Sequence, residues 1–226
     1  MLAVGRRGDA VKKYLRERNP RYGDWEFRGN RPGEAVAFGV HPIGTYKGVW
    51  KLFICCVVDT YSSCVSAKVY DTRASIDPTE ILERARDFYD GFGLKIDRIK
   101  IHMRPYKNAE RMIRLESYLE DYKVDEGTEA DIHWRKALRL GPDRTRKEAS
   151  GFVRHFSRMA KCQFFDPIYR PRSVKLAEMQ NDFDEWLTKY NQVEKLLGYH
   201  TAGATPMQMI ETAQSARSCS ELQSEC

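Results

Sequence analysis

Arg154, Arg158 and Lys161 recur at i, i+4 and i+7 in FVRHFSRMAK, a spacing that gathers three cations on one face of a helix. Guanidinium forks pair well with phosphate oxygens, so such a stripe suits a nucleic-acid backbone; it equally suits a solvated helix face. The stripe closes a longer basic segment. From Ile132 to Lys161 nine Lys or Arg stand against Asp143 and Glu148, a balance of +7 within a chain whose net charge is +6. Arg135, Arg139, Arg144, Arg146 and Lys147 are therefore candidates for phosphate contact, and Lys100, Arg104, Lys107, Arg111 and Arg114 extend the positive charge upstream. Trp134, read as part of a helix in HWRKALRL, offers either a stacking surface for a base or an inward-packing ring. His41 and His102 form a second, weaker pairing. Two imidazoles at the mouths of adjacent strands suit a transition metal, or are simply polar residues where strands end.

The elements that must position these groups read clearly in places. AVAFGVHPIG, VWKLFICCVVD and SCVSAKVYD are extended and apolar, and the short connections TYKG and TYSS predict an antiparallel meander. Asp77, Pro78 and Glu80 open a helix as N-cap, first-turn proline and capping-box acid, and DGFG stops it. KIDRIKIHM then predicts a strand that returns parallel to the first. NAERMIRLESYLEDY predicts a helix with Met112, Leu115, Tyr118 and Leu119 on one face, followed by a polar connection. Two more helices are expected over about 146–164 and 173–190, the second burying Val174, Leu176, Ala177, Phe183, Trp186, Leu187 and Tyr190. Residues 1–30 read as a basic N-terminal arm, 31–210 as one α/β core, and 211–226 as a disordered polar tail.

Composition excludes several classes. The longest apolar stretch, VWKLFICCVV, carries Lys51 and is shorter than the roughly 20 residues that span a bilayer, and the N-terminus lacks the apolar run of a signal peptide. No membrane partner is expected, and a cytoplasmic location is the default. Six cysteines show no CxxC spacing, which argues against zinc or a redox motif; Cys55 and Cys56 read as small buried hydrophobes.

Four fragments, in order, resemble the core domain of the retroviral-type integrases and related bacterial transposases. RPGEAVAFGVHPIG is similar to that family's R-P-N-E-x-W-x-x-D-x-T-P-I-G, and Asp59, Tyr61 and Ser62 match its D-x-Y-S signature. FVRHFSRMAKCQFF resembles V-E-R-F-N-R-T-L-K-x-x-F-F. Tyr190, Asn191, Thr205 and Pro206 keep its Y-N and T-P frame. The resemblance covers about residues 31–210 and implies a ribonuclease-H-like fold: a mixed sheet of about five strands, an antiparallel meander plus parallel strands, flanked by helices.

It also implies a reaction, and there the chain departs. Family members converge two Asp and one Glu on two Mg²⁺ or Mn²⁺ ions that drive in-line attack on a phosphodiester. Here the first Asp position is Gly39, the Glu position is Arg154, and the second Asp falls at His102 or Arg104, leaving the register open. Other acids are poorly placed: Asp97 precedes its strand, Glu148 lies six residues before Arg154, and Asp59 matches a position outside the triad that shapes a turn. No catalytic residue is therefore assigned, and no cofactor is expected unless an unconventional site holds Mg²⁺ or Mn²⁺. The expected function is DNA binding, or binding to components of a transposition complex, without strand transfer. A decaying mobile-element product and a co-opted accessory protein both fit it, and a homodimer is the expected self-association. The rivals are an active metal-dependent nuclease with non-standard ligands and a module that binds only proteins.

Overall fold

Strand β1 (Ala35–Tyr46) turns at Lys47–Gly48 into β2 (Val49–Asp59), which turns through Thr60–Cys64 into β3 (Val65–Tyr70). Both pairings are antiparallel, as the short connections predict. A computed structural model describes residues 28–103, 114–119, 129–134, 151–171, 173, 175–197 and 200–224. After the meander comes α1 (Pro78–Asp90), then β4 (Arg98–Met103), which lies parallel to β1, and β5 (Glu129–Trp134), parallel to β4. The mixed sheet has five strands in the order β3-β2-β1-β4-β5. This is the α/β arrangement that the ribonuclease-H-like expectation requires.

Strand β5 corrects two sequence readings. EADIHW was taken into a polar connection, yet it alternates apolar Ala130, Ile132 and Trp134 with polar partners, the period-2 signal of a strand. Trp134 consequently ends a strand and belongs to no helix.

Because successive strand residues point to opposite faces, the sheet is covered on both sides. Ala37, Leu52, Ile54, Cys56 and Val58 face α2 (Gly151–Ala160) and α4 (Leu176–Gln192). Val36, Phe38, Cys55 and Val57 face α1, the helical segment 114–119 and the start of α5 (Pro206–Ser224). Cys55 and Cys56 are fully buried, and burial pushes the Cys56 thiol up to about 12, partly offset by the Ser157 hydroxyl.

Local chemistry differs from the prediction at several points. Asp77 caps α1 by accepting from the Thr79 N–H at 3.1 Å, but Glu80 does not complete a capping box. Its carboxylate reaches instead to the Lys68 ammonium at 2.5 Å and the Tyr70 hydroxyl at 3.3 Å, fastening the helix start to β3. In α4, Ala177 is exposed and Met179 is buried in its place beside Phe183, Leu187 and Tyr190. Between α2 and α3 (Asp166–Tyr169) the chain makes a π-helical turn, Lys161–Phe165. The wide turn lets the neighbours Phe164 and Phe165 both enter the core, against Phe183 and Tyr169. Residues expected to be disordered beyond Ile210 continue α5 as far as Ser224. The basic arm falls almost wholly outside the described residues, as do Met112 and Val174.

Candidate functional site

Gly39 sits inside β1, and its register partner on parallel β4 is His102. Of the two positions left open by the sequence, His102 is the one brought beside Gly39; Arg104 lies outside the described residues. Helix α2 passes over this part of the sheet. Near its start, Arg28 lies 5.7 Å from the centre of the Phe152 ring, next to Gly29, whose N–H reaches Thr60 at the beginning of β1. Near its end, the Lys161 ammonium lies 3.3 Å from where a Cβ on Gly44 would stand. The helix therefore runs in the same direction as β1. Arg154, seven residues and roughly 10 Å of helix before Lys161, comes level with the middle of the strand, where Gly39 lies.

Arg154 is half-buried, and its Nη2 is enclosed with no hydrogen-bond partner. An enclosed donor without an acceptor costs about 1–3 kcal/mol, a cost that an arriving anionic oxygen removes. A divalent cation meets the opposite situation. Two unit charges 4 Å apart interact by about 4 kcal/mol at an effective dielectric of 20, and a doubly charged ion roughly doubles this. A guanidinium at a ligand position thus removes attraction and adds repulsion of similar size. Among the described residues no three His, Cys, Asp or Glu side chains converge on a point that would hold a metal ion. His41 and His102 gain no third ligand there. Mg²⁺ or Mn²⁺ does not fit this donor set, and no catalytic step is derived through it.

The neighbouring acids are engaged elsewhere. Asp97 pairs with Arg31 at 2.5 Å, and Glu34 pairs with Arg98 at 2.9 Å. Glu148 lies outside the described residues. Asp59 is fully buried and accepts four bonds: from the Gly33 and Tyr61 N–H groups at 3.1 and 2.8 Å, and from the Ser62 and Tyr89 hydroxyls at 2.8 and 3.0 Å. Burial raises its pKa, and the four donors partly reverse that rise. Asp59 thus shapes the turn after β2 and joins it to the segment before β1 and to α1.

The basic stripe on α2 is smaller than its spacing predicts. Arg158 is exposed and Arg154 half-buried, but Lys161 is committed. Its ammonium donates to the Asp166 carboxylate at 2.8 Å and to the Tyr46 hydroxyl at 3.4 Å, and Arg170 approaches the other Asp166 oxygen at 3.2 Å. Partial burial alone would raise the Asp166 pKa; the bonds from Lys161 and Tyr46 outweigh it and hold the carboxyl below its ordinary value. Asp166 follows immediately after the stretch whose motif carried the sequence reading. The remaining candidates for DNA contact, Arg104, Lys107, Arg111, Arg135, Arg139, Arg144, Arg146 and Lys147, lie outside the described residues.

No protein-family model matches the chain, and no curated protein matches it. Solved structures do. The chain is similar to one in the simian T-cell lymphotropic virus intasome bound to the PP2A regulatory subunit B56 gamma, with TM-score 0.55 and 18% identity. That match covers 81% of this chain and 56% of the other, so the chain spans little more than half of its neighbour's length. It is also similar to the HTLV-2 integrase catalytic core domain with magnesium, in a trimeric form (TM-score 0.52, 17% identity) and a dimeric form (TM-score 0.52, 15% identity). Those two matches cover 80% and 81% of this chain and 99% of each core domain. The shared feature is the fold: this chain has the architecture of an integrase catalytic core. Among the described residues no helix is long and apolar enough to cross a membrane.

Proposed function

We propose that this chain is an integrase-type core that binds DNA along α2 and does not transfer strands. The observation that carries the reading is Arg154: an enclosed guanidinium N–H without an acceptor stands where the resembled family places a metal-binding glutamate. The site has changed from one that attracts cations into one that attracts phosphate. DNA phosphates meet Arg154 and Arg158 directly, and the basic residues between Arg135 and Lys147 widen the contact. The chain self-associates, as the dimeric and trimeric forms of the HTLV-2 core do. It serves as a component of a nucleoprotein assembly, descended from a mobile element or co-opted from one.

Duplex binding followed by fluorescence anisotropy at two salt concentrations tests this reading. Affinity falls steeply with salt, because each neutralised phosphate adds about 0.9 to the slope of log K against log salt. The double variant Arg154→Glu, Arg158→Glu lowers that slope by about 2 and weakens binding by at least tenfold. Incubation of a labelled duplex with Mg²⁺ or Mn²⁺ leaves it intact for the natural chain. EDTA-sensitive cleavage, or an affinity indifferent to both salt and the double variant, overturns the proposal.

A further inference from the structure

A cleft of about 290 Å³ opens between the first half of α2, the turn after β2 and the segment before α5. It lies apart from the Gly39 and His102 register positions and takes no part in the DNA reading above. Its floor is apolar, formed by Val58, Phe152, Phe156, Met159 and Leu196. Its polar groups are Arg28, His155, His200 and the hydroxyls of neighbouring Thr, Tyr and Ser residues, and no carboxylate is among them. The segment that forms one wall is tied in place. The Leu196 N–H donates to the Ala204 carbonyl at 3.1 Å, and the Leu196 carbonyl accepts from the Gly203 N–H at 2.9 Å and the Thr201 hydroxyl at 2.6 Å. The cleft is therefore pre-formed.

Its mouth carries a second signal. Leu197 lines the cleft yet is 95% exposed, and Val193 on the same segment is 69% exposed. Large aliphatic side chains held this far into water on a fixed segment gain free energy when a partner covers them.

We propose that this cleft docks a segment of a partner polypeptide in which one bulky aliphatic side chain lies next to carboxylates. The aliphatic group enters between Phe156, Met159 and Leu196. The carboxylates meet the Arg28 guanidinium and the ring N–H groups of His155 and His200, and the partner backbone covers Leu197. A nucleotide is the less suited occupant because the aromatic faces are already engaged. Arg28 lies over Phe152, and Tyr61 and His200 stand face to face with ring centres 4.5 Å apart. The exposed surface that remains is aliphatic, which matches a side chain better than a base.

The probe is a fluorescein-labelled, capped peptide with one leucine flanked by glutamates, titrated with the full chain. Controls are the same peptide with lysines replacing the glutamates, a glutamate-only peptide, and a short single-stranded oligonucleotide. The glutamate–leucine peptide saturates, and each control peptide binds at least tenfold more weakly. Leu197→Glu, a change at a solvent-exposed position that leaves the fold intact, weakens the peptide at least tenfold by adding an acid to the rim. Arg28→Gln weakens it as well, while both variants keep the melting temperature of the natural chain. Duplex affinity is unchanged by Leu197→Glu, which separates this site from the DNA reading. Peptide binding that is indifferent to Leu197→Glu overturns the proposal, as does oligonucleotide binding that this variant abolishes, which would reassign the cleft to nucleic acid.

Discussion

Asp59→Ala lowers the stability of the chain by about 4 kcal/mol, with chemical denaturation as the measurement. The reason is the count of donors rather than the charge. Removing the carboxylate strands the Gly33 and Tyr61 N–H groups and the Ser62 and Tyr89 hydroxyls in a site with no water-exposed surface. Each stranded donor costs about 1–3 kcal/mol, tempered by local relaxation. Asp59→Asn keeps the shape but offers an amide to donors that need acceptors, and costs about half as much. The two also differ with pH. The Asp59 pKa is raised on folding, chiefly by burial, so the folded form takes up its proton before the unfolded form does. The contribution of this proton is complete below the unfolded value and is lost as pH rises through the folded one. The stability of the natural chain relative to Asp59→Asn therefore increases as pH falls across that window. A loss near zero for Asp59→Ala would mean that these four bonds do not hold the turn together.

The triple variant Gly39→Asp, His102→Asp, Arg154→Glu gains a divalent-cation site. Gly39 and His102 are register partners on parallel strands, so aspartates there stand side by side, and α2 carries the glutamate over them. Without metal the three carboxylates repel one another and the variant melts below the natural chain. Mn²⁺ at a hundredfold excess over its dissociation constant adds about 2.7 kcal/mol, which raises the melting temperature on the order of 5–10 °C for a domain of this size. Mn²⁺ does not shift the melting of the natural chain. Equal shifts in both proteins would reveal ligands elsewhere in the chain. No shift in either would show that the three positions do not converge.

The parts of this fold that announce themselves in the sequence are those set by local rules. Alternating or continuous apolar runs marked the meander, and Asp77 with Pro78 marked the start of α1, because strand period and helix capping involve residues close in the chain. The Asp59 network was legible only as a turn. Its bond to Tyr89 spans 30 residues and exists because α1 packs against that end of the sheet. Gly33 offers an instructive middle case. The resembled family has Asn at this position, and both residues tolerate the positive φ of +79° found here. Even so, the Lys95 carbonyl comes within 2.6 Å of where a Cβ would stand, a close approach that only the folded chain reveals. Strand β5 was hidden because its three apolar residues alternate with charged and polar ones inside a basic stretch, where charge dominated the reading. Arg154 was placed correctly as a substitution at the glutamate position, but the enclosure of its Nη2 depends on neighbours contributed by the rest of the fold.

The π-helical turn at Lys161–Phe165 has a consequence for how the protein meets a polyanion. In regular α-helix, side chains five apart point about 140° away from each other, and Lys161 would not face Asp166. The extra residue closes that angle, and the Asp166 N–H bonds back to the Lys161 carbonyl while the side chains join at 2.8 Å. One inserted residue thus acts as a rheostat on the helix's free charge, muting a lysine whose spacing would otherwise point it at the same ligand as Arg154 and Arg158. Deleting it would return that lysine to service while turning one of the two phenylalanines out into water.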